Sequence, residues 1–148
     1  MIEVEMTAPS YLNVTDEAGR AFFMRGIVGP VTMLNLLRFR DLADYSATPE
    51  LAPAAAISGE QAFWTYVEHT KPFLEASGGA IRFLGKGGPW LIGPEGERWD
   101  MAMLIEQESV ASFMAWNSHT DYLKGIGHRT AALLDSRLLP LVESAAGR

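Results

Sequence analysis

The architecture of this 148-residue chain follows from one segment, VTMLNLLRF at residues 31–39. Its apolar and β-branched composition predicts a strand. Apolar side chains occupy both alternating faces, with Met33 and Leu37 on one face and Leu34 and Leu36 on the other. A strand that is apolar on both faces is covered on both faces. We therefore expect a central strand here, with packing partners above and below the sheet.

A second segment, WDMAMLIEQ at residues 99–107, has the same two-sided apolar character and predicts another central strand. Two more strands are predicted at residues 80–92 and 137–143. A glycine-rich patch at residues 85–89 predicts a bulge or bend within the former strand. Pro140 confines the latter strand to a sheet edge or a bulge.

Helical segments separate these strands, and each begins at a residue suited to N-capping. The first starts at Thr15 and ends at the Gly-Pro pair of residues 29–30. The second starts at Ser58, where a glutamine three residues later completes a capping box. The third starts at Ser109, breaks, and restarts with a second capping box at Ser118.

After the N-terminal helix, the predicted order is strand, helix, strand, strand, helix, strand. This order is the split βαβ, or ferredoxin-like, arrangement of an α+β fold. Helices cover one face of such a sheet, so we expect a second copy of the chain to cover the other face. Two sheets packed across a two-fold axis form a dimeric α+β barrel. We expect a single domain at residues 1–148, with a helical N-terminal extension at residues 1–30 and a long loop at residues 40–57.

Composition and charge exclude several classes of protein. Apolar residues make up 48% and charged residues 20% of the chain, which is typical of a globular protein. The net charge of −6 makes nucleic acid an unsuitable partner, because an acidic surface repels phosphates. No uninterrupted apolar run approaches the ~18 residues of a membrane span, and no secretory signal is recognisable. We expect a cytoplasmic protein with no membrane partner.

Three blocks of sequence resemble a known family. They are MLNLLRFRDLADYS at residues 33–46, LIGPEGERWD at residues 91–100 and GHRTAALLDSRLLP at residues 127–140. With them the chain resembles the domain-of-unknown-function-1330 family, over roughly residues 11–143. The resemblance implies the homodimer and membership of the dimeric α+β barrel superfamily. That superfamily includes cofactor-free monooxygenases, lactone isomerases and haem enzymes, so the resemblance implies no particular reaction.

Three residues are candidates for catalysis: His128, Arg129 and Asn35. A histidine moves protons near neutral pH, and an arginine holds anionic oxygens. Asn35 is a lone amide in an apolar strand and needs a hydrogen-bond partner. In the catalytic interpretation, His128 transfers a proton while Asn35 and Arg129 stabilise an oxyanion. In the alternative, Arg129 pairs with Asp135 or Glu143, His128 lies at the surface and Asn35 satisfies a backbone bulge.

Aromatic residues supply a candidate ligand-binding set, because aromatic side chains between a sheet and its helices line apolar cavities. The set is Tyr45, Trp64, Tyr66, Trp90, Trp99 and Tyr122. The alternative is that these residues are ordinary core residues. Tyr45 lies in the long loop and either is part of a lid or anchors this loop on the partner subunit.

The sequence predicts no metal site and no cofactor. It contains no cysteine and three histidines. His119 and His128 are nine positions apart, which places them on opposite faces if they share a helix, and His69 belongs to another element. No serine lies in a nucleophile elbow, and the glycine-rich patch lacks the spacing of a phosphate loop.

Two functions stay open at this point. One is a homodimer that binds a small organic molecule, which in its enzymatic form is a cofactor-free oxygenase or isomerase. The other is a non-catalytic ligand-binding or structural dimer. A third interpretation, haem held by His128, comes from the superfamily alone. The feature that separates them is whether His128, Asn35 and Arg129 converge on one cavity.

Overall fold

The structure, a computed structural model, describes residues 10–145. The first nine residues of the expected N-terminal extension and the last three of the expected domain lie outside this range. The elements are α1 (Asp16–Met24), β1 (Val31–Phe39), α2 (Gly59–Ala76), β2 (Ala80–Pro89), β3 (Arg98–Gln107), α3 (Val110–Asn117), α4 (Thr120–Leu123), α5 (Ile126–Ala132) and β4 (Leu133–Leu141), with a 3₁₀ turn at Pro49–Leu51.

The four strands form one antiparallel sheet in the order β2-β3-β1-β4. Together with the chain order of strands and helices, this is the ferredoxin-like arrangement, so the predicted fold class is confirmed. The additional helix α1 precedes it. The strand predicted at residues 31–39 has the predicted bounds, and it lies between two neighbours in the sheet.

One face of the sheet, the inner face, is buried under the chain's own helices. Met33, Leu37, Met101 and Met103 are each at most 3% exposed there. They belong to one core cluster with side chains of α2, including Phe63. Burial of such residues contributes about 1.5–3 kcal/mol per large side chain and makes this layer the main source of stability.

We call the opposite face of the sheet the open face. It carries a second row of apolar residues, which are Phe83, Leu104, Leu34 and Leu139. Leu34 pairs with Leu104 on one side and with Leu139 on the other, and Phe83 pairs with Leu104. Phe83 is 55% and Leu139 is 53% exposed. A shallow depression beside the row is lined by β1 and β4 residues alone. The expectation of two-sided apolar strands is therefore met within the described part of the chain.

Three predicted helix caps are observed. Thr15 accepts a hydrogen bond from the Ala18 amide at 3.1 Å. Ser58 and Gln61 form the reciprocal capping box, with distances of 2.9 and 3.0 Å. The Ser109 hydroxyl accepts from the backbone of the third residue beyond it at 3.0 Å. Each cap satisfies an amide that helix geometry leaves without a partner.

Two helix boundaries differ from prediction. Helix α1 ends at Met24 and not at residues 29–30, because Gly26 adopts a left-handed φ of 63°. The N-cap of α4 is His119 and not Ser118. The Ser118 hydroxyl instead donates back to the Met114 carbonyl at 2.8 Å and completes the end of α3.

Two strands also differ from prediction. Strand β2 continues through the glycine-rich patch and ends at Pro89, so residues 90–92 lie in the turn, and the register shift falls between Ile81 and Phe83. A Cβ at Gly87 would lie 2.3 Å from the Trp99 carbonyl oxygen, so the glycine permits close pairing. Strand β4 begins at residue 133, four residues before the predicted start, and pairs along β1 from there.

The long loop after β1 is anchored on α5. The Arg40 amide donates to the Ala132 carbonyl at 2.8 Å, and the Asp44 amide donates to the Ala131 carbonyl at 2.9 Å. The side chain of Thr48 lies against Gly127, where a Cβ would lie only 2.5 Å from its hydroxyl oxygen. Among residues 10–145, no helix is long and apolar enough to cross a membrane.

Gly59, the first residue of α2, has no room for a side chain. We therefore predict that Gly59→Ala lowers the stability of the protein strongly. A Cβ there would lie 2.3 Å from the Arg40 carbonyl oxygen and 2.6 Å from the Ala132 carbonyl oxygen. Because both contacts are backbone, we expect the free energy of unfolding in urea to fall by at least about 2 kcal/mol.

Gly88→Ala is the matched control for this substitution, because a Cβ at Gly88 meets no atom within 4 Å. We expect it to change the free energy of unfolding by less than about 1 kcal/mol. Equal stability of the two variants would contradict the packing described here.

Candidate functional site

A cavity of about 50 Å³ lies between the inner sheet face and the helices. Apolar residues make up half of its lining. The polar or partly polar residues that line it are Asn35, Tyr66, Thr70, Lys71, Trp116 and Arg129. They come from β1, α2, α3 and α5, so the cavity brings together groups that are far apart in the sequence.

Two of the three candidate catalytic residues meet at this cavity. Asn35 and Arg129 both line it, whereas His128 is not among its lining residues. His128 follows Gly127 on α5, and its side chain contacts the long loop instead. The structure thus separates the predicted proton-transfer residue from the predicted oxyanion-binding pair.

Asn35 is partly buried on the central strand β1. Its amide nitrogen donates to the Met33 carbonyl oxygen at 3.3 Å. The strand has no register shift at this point, because the β1 irregularity lies between Arg38 and Phe39. Asn35 therefore bonds to its own strand and also lines the cavity, which combines elements of both predicted interpretations.

Arg129 reaches the cavity from α5 and is held in place by two oxygen atoms. Its guanidinium donates to the Leu12 carbonyl oxygen and to the Ser136 hydroxyl, the latter at 3.3 Å. The Ser136 hydroxyl itself donates to the Tyr11 carbonyl at 2.5 Å. Asp135, one of the two acidic partners considered for Arg129, pairs with Arg137 at 2.8 Å. The segment before α1 thus positions Arg129.

Two tyrosines form a buried hydroxyl pair beside Arg129. The Tyr66 and Tyr122 hydroxyl oxygens are 2.7 Å apart, and the residues are 8% and 2% exposed. Burial raises the pKa of both phenols, while the Arg129 charge acts in the opposite direction and does not overcome it. Both hydroxyls are therefore neutral near pH 7, and one hydrogen of the pair remains available to a further acceptor.

Two residues of the cavity lining carry polar atoms that have no hydrogen-bond partner among residues 10–145. The Trp116 indole N–H has no acceptor, and Trp116 is 8% exposed. The Thr70 hydroxyl lies near Tyr66 without completing a hydrogen bond of ordinary geometry, and Thr70 is 6% exposed. A buried polar group without a partner costs roughly 1–3 kcal/mol, so such groups mark places where a water molecule or a ligand binds.

The other predicted aromatic residues lie elsewhere. Trp64 is 38% exposed on α2 and donates to Glu60. Trp90 and Trp99 both donate to the Glu97 carboxylate at the β2–β3 turn, at 2.7 and 3.2 Å. Of the six predicted aromatic residues, Tyr66 lines the cavity, and Tyr122 contacts it through the hydroxyl pair.

Sequence reasoning missed Trp116 and Lys71 as site residues. Trp116 occupies an apolar position of α3, so its pattern is that of a core residue. Thr70 was also not predicted as a site residue, but the sequence does indicate its position. It is four residues after Tyr66 and therefore lies on the same face of α2.

His128 and Tyr45 form a contact between α5 and the long loop. The Tyr45 hydroxyl and His128 Nδ1 are 2.8 Å apart, and the rings meet edge to face at 5.5 Å. Burial, and then the nearby His69, lower the pKa of His128, so the imidazole is neutral near pH 7. Tyr45 thus anchors the loop on the helix of its own chain.

The cavity does not fit a haem. A volume of about 50 Å³ is far too small for a porphyrin, and His128 does not line it. Among residues 10–145, no group of three or more His, Asp and Glu side chains could hold a metal ion.

The lowered pKa of His128 predicts that the protein loses stability in mild acid. The unfolded chain binds a proton near the ordinary pKa of 6.5, whereas the folded chain binds it only at lower pH. The free energy of unfolding therefore falls as pH drops below about 6.5.

His128→Gln removes this proton linkage and retains a hydrogen-bonding group for Tyr45. Urea unfolding between about pH 7.5 and 5 should show a smaller decline for His128→Gln than for the parent. Parallel profiles for the two proteins would show that burial of His128 does not affect stability in this range.

Comparison with known proteins finds solved structures that are similar to this chain. No protein-family model and no curated protein matches the chain. The methylated RPA0582 protein is 32% identical, with 94% of this chain and 98% of that chain covered and a TM-score of 0.82. A second structure of RPA0582, a protein of unknown function from Rhodopseudomonas palustris, is 32% identical, covering 90% and 96% of the two chains with a TM-score of 0.79.

A more distant structure is a dimeric ferredoxin-like protein of unknown function from Thermobifida fusca. It is 16% identical, with 78% of this chain and 92% of that chain covered and a TM-score of 0.46. The resemblance to the domain-of-unknown-function-1330 family is not confirmed by a family model. On the identity and coverage shared with RPA0582, this chain belongs to the same protein family as RPA0582.

Proposed function

We propose that this protein is a homodimer that binds a small molecule in the cavity between the inner sheet face and the helices. The observation that carries the proposal is Trp116, a residue of the cavity lining whose buried indole N–H has no acceptor among residues 10–145. Asn35 and Arg129 line the same space. Buried polar groups in folded proteins are nearly always hydrogen-bonded, so a molecule in the cavity completes the set.

The size of the cavity limits the ligand. A volume of about 50 Å³ holds roughly three to five water molecules or a ligand of similar size. An aromatic ligand, which the six aromatic residues suggested, is larger than this. The proposed ligand is therefore a small carbonyl-bearing or other oxygen-containing molecule.

The proposal is for binding and does not include proton transfer by His128. A general base must lie within hydrogen-bond reach of the proton it removes. His128 Nδ1 is engaged with Tyr45, and the residue does not line the cavity. Of the two functions that the sequence left open, the geometry therefore favours the non-catalytic ligand-binding dimer over the oxygenase or isomerase.

The proposed dimer rests on the open face. Phe83, Leu104, Leu34 and Leu139 form an apolar row with two members more than half exposed. A second copy presents the same row, and a two-fold axis brings two identical apolar surfaces together. This arrangement is the dimeric α+β barrel. The sequence blocks at residues 33–46, 91–100 and 127–140 support assignment to the domain-of-unknown-function-1330 family of that superfamily.

The ligand proposal predicts a specific pattern of thermal stabilisation. Formate, acetate, formamide and acetamide are added singly to the parent, to Asn35→Ala and to the control Asn13→Ala, which changes an exposed residue outside the cavity. We expect at least one compound to raise the melting temperature of the parent and of Asn13→Ala, because a ligand of the folded state stabilises it.

The rise should be reduced or lost in Asn35→Ala, since the alanine cannot hydrogen-bond to the ligand. Measuring each shift against the variant's own melting temperature removes differences in basal stability. No stabilisation of the parent by any of the four compounds, or an undiminished shift in Asn35→Ala, would contradict binding in this cavity.

The dimer proposal predicts a melting temperature that rises with protein concentration, because association stabilises the folded chain. Leu139→Glu places a carboxylate in the apolar row of the proposed interface and should remove this dependence. Leu123→Glu is the control, because Leu123 is 44% exposed on α4. It should retain the dependence. A parent melting temperature that is constant over about a hundredfold range of concentration would contradict the dimer.

A further inference from the structure

The charges around the cavity have one sign. Its charged lining residues are Arg129, which is half-buried, and Lys71, which is exposed; both are cationic, and no acidic side chain of residues 10–145 lines it. The whole chain carries a net charge of −6, so this is a local reversal of the protein's overall charge. A cation beside a cavity of low polarity favours an anion there, because the interaction is screened less than at the surface.

Three groups around the cavity have hydrogen-bond donors that the protein does not use. The Trp116 indole can only donate, and its N–H has no acceptor. The Arg129 guanidinium has five N–H donors, of which the contacts to Leu12 and Ser136 use two. The Tyr66–Tyr122 pair has one further hydrogen to donate, since one hydrogen lies between the two oxygens. A complementary ligand must therefore supply acceptors.

The donors come from different elements of the fold. Trp116 lies on α3, Tyr66 on α2 and Arg129 on α5. A ligand that accepts hydrogen bonds from more than one of these donors needs at least two acceptor atoms. A carboxylate has two oxygens and about four acceptor positions, and its charge matches the guanidinium.

From these observations we infer that the ligand is a small carboxylate, with roughly three to five non-hydrogen atoms as the volume of about 50 Å³ requires. This inference rests on the proposed function and adds the chemical class of the ligand. The carboxylate accepts the Trp116 indole N–H and lies beside the Arg129 guanidinium. Formate and acetate are the simplest members of the class within this size.

Arg129 is kept available for this role by the rest of its surroundings. Its hydrogen-bond partners are the Leu12 carbonyl oxygen and the Ser136 hydroxyl, and both groups are uncharged. They orient the guanidinium without neutralising it, whereas the nearby Asp135 carboxylate is paired with Arg137 at 2.8 Å. The positive charge of Arg129 is therefore retained for an anion in the cavity.

The test compares charged and neutral ligands of the same shape. Formate and acetate are titrated against formamide and acetamide by calorimetry at constant ionic strength, with sodium chloride as the reference salt. We expect the carboxylates to bind at least about tenfold more tightly than the amides, and chloride not to displace them.

Trp116→Phe removes the indole N–H and retains an aromatic ring, and we expect it to weaken acetate binding by about tenfold or more. Trp64→Phe is the matched control, because Trp64 is exposed on α2 and does not line the cavity. It should leave acetate binding unchanged. The parent provides a readout that requires no change to the core: one of its four indole N–H proton resonances should move downfield with acetate and not with acetamide.

The outcomes separate the two proposals. Equal binding of amides and carboxylates would keep the cavity as a ligand site and overturn the assignment to carboxylates. Acetate binding that chloride abolishes, or that leaves all four indole resonances in place, would also overturn the carboxylate at Trp116. If none of the four compounds binds, both the ligand site and its chemical class are wrong.

Discussion

The rest of the structure depends on a central sheet that is apolar on both faces. Strands β1 and β3 place three methionines and Leu37 on the inner face, where the helices bury them almost completely. The same strands carry Leu34 and Leu104 on the open face, where Phe83 and Leu139 of the same apolar row are more than half exposed. Each square ångström of apolar surface that leaves water contributes roughly 25 cal/mol, so an uncovered apolar row favours association with a matching surface.

The cavity occupies the inner layer, and this location explains its chemistry. A layer built for apolar packing contains an amide at Asn35, an indole N–H at Trp116 and a guanidinium at Arg129. Such groups lower the stability of a core unless they are hydrogen-bonded. Arg129 is held by the segment before α1 and by β4, whereas Trp116 has no acceptor. The unpartnered Trp116 N–H therefore lowers local stability at the proposed ligand site.

Sequence reasoning predicted the elements with strong local signals and missed those that depend on tertiary contacts. The bounds of β1 and the capping box at Ser58 follow from short-range patterns and were confirmed. The contact between His128 and Tyr45 joins residues that are 83 positions apart, so the periodicity of the sequence does not predict it. Trp116 resembled an ordinary core residue, because an apolar helical position does not reveal whether its indole N–H has an acceptor.

Sedimentation velocity of the unmodified protein at low micromolar concentration tests the two-sided sheet most directly. The account predicts a single species of twice the 16.2 kDa chain mass, with the open faces of two copies buried against each other. A stable 16.2 kDa species, with Phe83 and Leu139 accessible to water, would contradict it. In that case the apolar row is an ordinary solvent-exposed surface, and a second copy is not needed to complete the fold.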